Sequence, residues 1–206
     1  MKTQVKICGI TGVADGLAAA EAGADMIRLM FYEDSPRHVT VAQAAEISRA
    51  LPPFVLRVGV FVNPDESLVT RAIAECGLSL LQFHGEEDSA FCTQFGLMSM
   101  KAVRVREAES LQTLENYHTD AFLLDAYSQA GLGGTGEKFN WDLAVSAQKF
   151  AKPIFLAGGL TPENVADAVR QVRPFAVDVS SGVESVPGKK DEAKVRAFIQ
   201  AVRNAS

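Results

Sequence analysis

No stretch of this chain is long and apolar enough to span a membrane, and no charged-then-apolar leader opens it. The expectation is a soluble, unexported, cytoplasmic protein. Basic clusters are missing too: 20 Lys and Arg face 25 Asp and Glu, a net charge of −5, which argues against nucleic acid or an anionic membrane as partner. Cysteine is sparse. Cys8, Cys76 and Cys92 form no CxxC pair, and an odd, scattered set reads as free thiols in a reducing compartment. His38, His84 and His118 lie far apart without ligand spacing, which argues against a structural zinc site. Low-complexity tracts and linkers are absent as well, so residues 1–206 read as one domain, with 48% apolar residues to fill its core.

What is present is alternation. Eight apolar, β-prone segments occur in order: QVKICG, DMIRLMF, FVLRVGVFV, LSLLQF, MKAVRV, AFLLDA, KPIFLAG and PFAVDVS. Helical patterns separate them. One covers 13–22 and is closed by Gly23. A second is opened by Thr40 with Gln43 at the capping-box position. A third is predicted to start at Asn63 as cap, with Pro64 in first place and Glu66 closing a box; its buried stripe is Val69, Ala72, Ile73 and Cys76, and Gly77 ends it. Others are expected over 87–95, near Glu107, Asn140 and Pro162, and from Asp191, where Val195, Phe198, Ile199 and Val202 share a face. Strict strand–helix alternation means a parallel sheet with helical crossovers. Eight units predict an α/β fold, a single (β/α)8 TIM barrel. An open doubly wound sheet would want fewer strands or a nucleotide fingerprint after the first.

In such a barrel the reactive groups belong at the C-terminal ends of the strands. Those ends carry Cys8 (strand one), Gln82 and His84 (four), Asp125 (six), the Gly158 and Gly159 pair (seven), and Asp178, Ser180, Ser181 and Gly182 (eight); Arg37 follows a Ser–Pro turn after strand two. The glycine and serine loops after strands seven and eight together favour a phosphate, since glycine lets backbone N–H groups approach an anion closely. GLGGTG at 131–136 fits G-x-G-x-x-G only formally, being displaced from its strand, and reads better as a loop that covers a ligand. Asp125 ends an apolar strand, where a charge needs a partner. Cys8 alone is either a small buried hydrophobe or a thiol base; a base would need a cation or N–H groups nearby to ionise. Across a barrel mouth, Cys8 and Asp125 can move protons on a substrate held between them. Arg37 can clamp a carboxylate with two N–H groups. Cys76 and Cys92, on helices, read as structural.

KICGIT, FYEDSPRHV, RVGVFVN, LQFHGEE, FLLDAYS, GGTGEKFNW, FLAGGLTPENV and DVSSGVE together resemble phosphoribosylanthranilate isomerase of tryptophan biosynthesis, over nearly the whole chain. The resemblance implies an Amadori rearrangement of N-(5′-phosphoribosyl)anthranilate to 1-(o-carboxyphenylamino)-1-deoxyribulose 5-phosphate, with no metal or organic cofactor. It assigns Cys8 as general base, Asp125 as general acid, Arg37 to the anthranilate carboxylate and the loops of Gly158, Gly159, Ser180, Ser181 and Gly182 to the phosphate. Gln82, His84 and Asp178 are further candidate substrate contacts. Monomer and homodimer are both open.

One position departs from the family, which usually has glycine in strand two where this chain has Arg28. Alternation points Ile27, Leu29 and Phe31 outward and Met26, Arg28 and Met30 into the barrel. An interior arginine needs a carboxylate, so a buried cluster of Lys6, Asp178 and Arg28 is expected. Two rivals follow. The aminoimidazole carboxamide ribotide isomerase of histidine synthesis uses paired aspartates on strands one and five, where this chain has Cys8 and Val105. A barrel that binds a phosphorylated ligand without turnover is the other, and Arg28 is the feature that favours it.

Overall fold

The computed structural model describes residues 2–126 and 141–206. Its eight barrel strands are β1 (Gln4–Cys8), β2 (Met26–Met30), β3 (Leu56–Phe61), β4 (Leu80–Phe83), β5 (Met98–Val105), β6 (Ala121–Ala126), β7 (Ile154–Ala157) and β8 (Ala176–Val179). They pair in chain order, all parallel, and β8 pairs back to β1 to close the barrel. Outside lie α1 (Val13–Glu21), α2 (Val41–Ala50), α3 (Glu66–Cys76), α4 (Ser89–Thr93), α5 (Trp141–Ser146), α6 (Val165–Val172) and α7 (Glu192–Ala205). Among the described residues no helix is long and apolar enough to cross a membrane.

Side chains alternate through the barrel wall as the strand period requires. Val58, Val60, Met100, Leu123 and Phe155 pack inside, with Met26 and Met30. Ile7, Ile27, Leu29 and Phe31 point outward into the annulus under the helices. There a run of stacked rings, Phe31 on Phe61 on Phe83 on Phe95, spans three neighbouring strands with centroids 5.1, 5.9 and 6.0 Å apart.

Local starts follow the sequence where a cap has no rival. Thr40 and Gln43 form the expected capping box of α2. Asn63 does not cap α3. Its backbone is left-handed (φ 46°), its N–H donates to Glu87 Oε1 (2.7 Å), and its side chain accepts from the Glu86 N–H, so the cap moves to Asp65. Glu87, expected inside the fourth helix, is instead a buried carboxylate paired with Lys101 (2.8 Å) and bonded to the Gly85 N–H; α4 starts behind Asp88, which caps Phe91. The helix expected near Glu107 is 3-10, Ala108–Asn116. The one expected at Pro162 begins at Val165, because Asn164 bonds back to the Thr161 N–H and the Gly159 carbonyl. The predicted start at Asn140 and the GLGGTG loop lie outside the described residues. A short 3-10 turn, Ser181–Val183, and a hairpin of β9 (Glu184–Val186) with β10 (Lys189–Lys190) follow β8, unforeseen from the sequence.

Candidate active site

Strand register assembles the site. Cys8 pairs with Arg28 on β2, while Lys6, one turn of the pleat below, pairs with Asp178 on β8. Lys6 Nζ lies 3.1 Å from Asp178 Oδ1, in the geometry of an ion pair rather than a hydrogen bond, and donates to Gln82 Oε1 at 2.8 Å. Arg28 Nη1 is 3.8 Å from Asp178 Oδ2, so the expected three-membered cluster is present. Burial lowers the Lys6 ammonium, against the pull of Asp178. Arg28 reaches further than the cluster: Nη1 donates to Cys8 Sγ at 2.6 Å.

Gly9 explains the residue after the cysteine. Its φ of +72° turns the chain sharply out of β1, and a Cβ there would overlap the Arg37 side chain that lies across it. Arg37 is in turn held by Glu184 of β9, which accepts from Nε (2.8 Å) and Nη2 (2.5 Å) and also takes Lys190 Nζ at 2.7 Å. Burial pushes the Glu184 carboxyl up, but these donors outweigh it and leave it below the ordinary value. Two of the five guanidinium N–H groups are committed to Glu184. Glu184 and Lys190 were not singled out from the sequence. The signal was a glutamate and a lysine flanking the tight turn after DVSSG.

Asp125, the last residue but one of β6, pairs with Arg104 on β5 and Ala157 on β7. Burial, then the nearby Asp178 carboxylate, hold its carboxyl above the ordinary range, against the pull of Arg28 and Arg104. His84 Nε2 stands 3.5 Å from Asp125 Oδ2. Burial first, then the Arg28, Arg104 and Lys6 charges, push the imidazole down to about 3, so the ring is neutral and does not draw the proton from Asp125. Beside them, Gly158 and Gly159 are both left-handed (φ 89° and 63°). Gly182 passes so close to the Leu160 carbonyl that any Cβ would overlap it. The loops after β7 and β8 are therefore laid against each other, with a buried Ser180 hydroxyl that has no hydrogen-bond partner among the described residues.

A cavity of about 290 Å³ at this end of the barrel brings together Arg28, His84, Asp125, Asp178 and the loops of Gly158, Gly159, Ser180, Ser181 and Gly182. Three predicted residues stand outside it. Gln82 is fully buried beneath, where it supports Lys6 rather than offering itself to a ligand. Arg37 is at the rim with Glu184. Cys8, 2% exposed, lies behind Arg28. Cys76 and Cys92 are buried away from the site, and burial pushes their thiols up to about 11 and about 12, as befits structural cysteines.

A family model described as N-(5′phosphoribosyl)anthranilate (PRA) isomerase matches residues 5–201. N-(5′-phosphoribosyl)anthranilate isomerases from Citrifermentans bemidjiense and Geobacter metallireducens are 56% and 52% identical to this chain, over 96% and 97% of it and 95% and 98% of their own lengths. Among solved structures, phosphoribosyl anthranilate isomerase from Thermotoga maritima has a TM-score of 0.92 at 40% identity, covering 98% of this chain and 99% of that one. A phosphoribosyl anthranilate isomerase in complex with reduced 1-(o-carboxyphenylamino)-1-deoxyribulose 5-phosphate has a TM-score of 0.89 at 39% identity. With a matching family model over nearly its full length and close relatives on both counts, the chain belongs to the N-(5′-phosphoribosyl)anthranilate isomerase family.

Proposed function

We propose that this chain isomerises N-(5′-phosphoribosyl)anthranilate with Asp125 as general acid and Cys8 as general base. The observation that carries the reading is the single cavity in which Asp125, held above its ordinary range, faces the glycine and serine loops, with Cys8 one guanidinium away. The loops of Gly158, Gly159, Ser180, Ser181 and Gly182 take the 5′-phosphate, and Arg37 takes the anthranilate carboxylate. These two anchors fix the ribose between acid and base. Asp125 gives its proton to the ring oxygen, the C1′–O bond breaks, and the nitrogen lone pair closes the iminium. Cys8 then removes the C2′ proton, which the cation has acidified, and the C–H electrons form the enolamine. Protonation at C1′ and loss of the hydroxyl proton at C2′ leave the ketone. The iminium is the electron sink throughout.

The test is turnover of freshly prepared phosphoribosylanthranilate, followed by its anthranilate fluorescence. The expected outcome is activity in the parent and a fall of about 10²–10⁴-fold in Cys8→Ala and in Asp125→Asn. Full activity in either variant removes that residue from its role. Binding without turnover is the second reading, favoured by the guanidinium that covers Cys8; a parent that binds the reduced product and turns nothing over would establish it.

A further inference from the structure

Arg28 has no part in the reaction described above, yet it occupies the centre of the site. It is 7% exposed, it lines the cavity, and Cys8 does not. Its Nη1 rests on the sulfur at 2.6 Å, and its buried Nε–H has no hydrogen-bond partner among the described residues. Beyond the sulfur, the carboxylate nearest to Nη1 is Asp178 Oδ2 at 3.8 Å, too far for a hydrogen bond. The space left over, about 290 Å³, is at the lower limit for a small-molecule pocket. A substrate carrying a phosphate, a ribose and an aromatic ring needs more. Arg28 is in the cavity wall and Cys8 is not, so the guanidinium stands between the cavity and the sulfur.

We propose that Arg28 is a latch over the general base: in the empty site it masks Cys8, and turnover requires the guanidinium to leave the sulfur. The inference rests on the reading of Cys8 as base. Displacement does not strip the barrel of its charge balance, because Lys6 remains 3.1 Å from Asp178 whether or not Arg28 stays beside it. The unlatched form has oxygen acceptors at hand in the substrate for Nη1 and for the unpartnered Nε–H. The charged groups that act on Cys8 are Lys6 on its own strand, Arg28 from β2 and Arg37 from the loop after β2, with Asp178 of β8 held against Lys6 and Arg28. Of these, Arg28 is the one bonded to the sulfur and set in the cavity wall. Removing the latch therefore raises the competent fraction of the protein. If one molecule in a hundred is unlatched, apparent affinity for substrate improves about a hundredfold when the latch is lost.

The experiment measures two quantities on the parent and on Arg28→Gly. One is the rate at which methyl methanethiosulfonate, small and uncharged, modifies Cys8 at a pH above about 8.5, where free thiols are ionised. Cys8→Ala supplies the background, and Cys76 and Cys92, pushed up to about 11 and about 12, stay silent. The other is kcat/KM for phosphoribosylanthranilate. The expected result is modification at least tenfold faster, with kcat/KM above the parent value. Equal or slower modification overturns the latch, and so does faster modification with kcat/KM unchanged or lower, a lower value making Arg28 a working donor. Arg28→Ala repeats both measurements if the glycine variant does not fold. Turnover surviving in Cys8→Ala would remove the base assignment, while the modification rates would still report on the mask.

Discussion

His84 shows how one buried ring sets a pH response. In the unfolded chain it takes a proton near 6.5; in the folded barrel, burial and three neighbouring cations defer that to about 3. Between those values the unfolded chain binds more protons, so stability is lost as pH falls through the window. Asp125, whose carboxyl is raised, contributes the opposite sign between its ordinary value and its raised one. Comparison of the parent with His84→Gln isolates the imidazole. On going from pH 7 to pH 4, the parent is expected to lose about 2–3 kcal/mol more than the variant, read from urea unfolding at each pH. Equal losses would mean that the ring is protonated in the folded protein.

At the scale of the element, the loop from β4 into α4 is organised by one ion pair rather than by the helix it introduces. Glu87 accepts from the Asn63 and Gly85 N–H groups, and Lys101 Nζ returns to Glu87 and to the Gly85 and Glu87 carbonyls. Lys101→Met leaves that carboxylate buried without its cation and is expected to cost about 3–5 kcal/mol in urea unfolding. Lys101→Met combined with Glu87→Gln should recover part of the loss. The same loop shows what local reading reaches and where it stops. The Thr40 and Gln43 box is legible because both partners lie within one turn. The equally regular Asn63, Pro64, Glu66 signal fails because a carboxylate 24 residues later competes for the Asn63 N–H. Side-chain parity put Lys6, Arg28 and Asp178 in one interior cluster, since alternation survives any register. The contact of Arg28 with Cys8 needed the register itself, and the hold of Glu184 on Arg37 spans 147 residues and a hairpin too short to leave a periodic trace.

For the whole molecule, closure depends on joining the two ends of the chain. Arg203 of α7 donates to the Thr3 and Gly23 carbonyls and pairs with Asp25 at 2.8 Å, and the same Asp25 oxygen accepts from the Val5 N–H. This clamp fastens the last helix to the first strand at the end of the barrel opposite the cavity. Arg203→Ala is expected to lower stability by about 1–3 kcal/mol, seen as an earlier urea midpoint. Its kcat and KM at 25 °C should match the parent, because nothing in the clamp touches the site.

The wall of eight strands divides the apolar interior into two compartments that do not share atoms, the barrel lumen and the annulus under the helices. In the annulus a substitution is answered by neighbouring methyl and phenyl groups alone. In the lumen it is answered by Lys6, Arg28 and Asp178 as well, where every change in volume is also a change in voltage. A substitution among the outer side chains is therefore a question of shape alone, while one beside the inner charges is a question of shape and charge together.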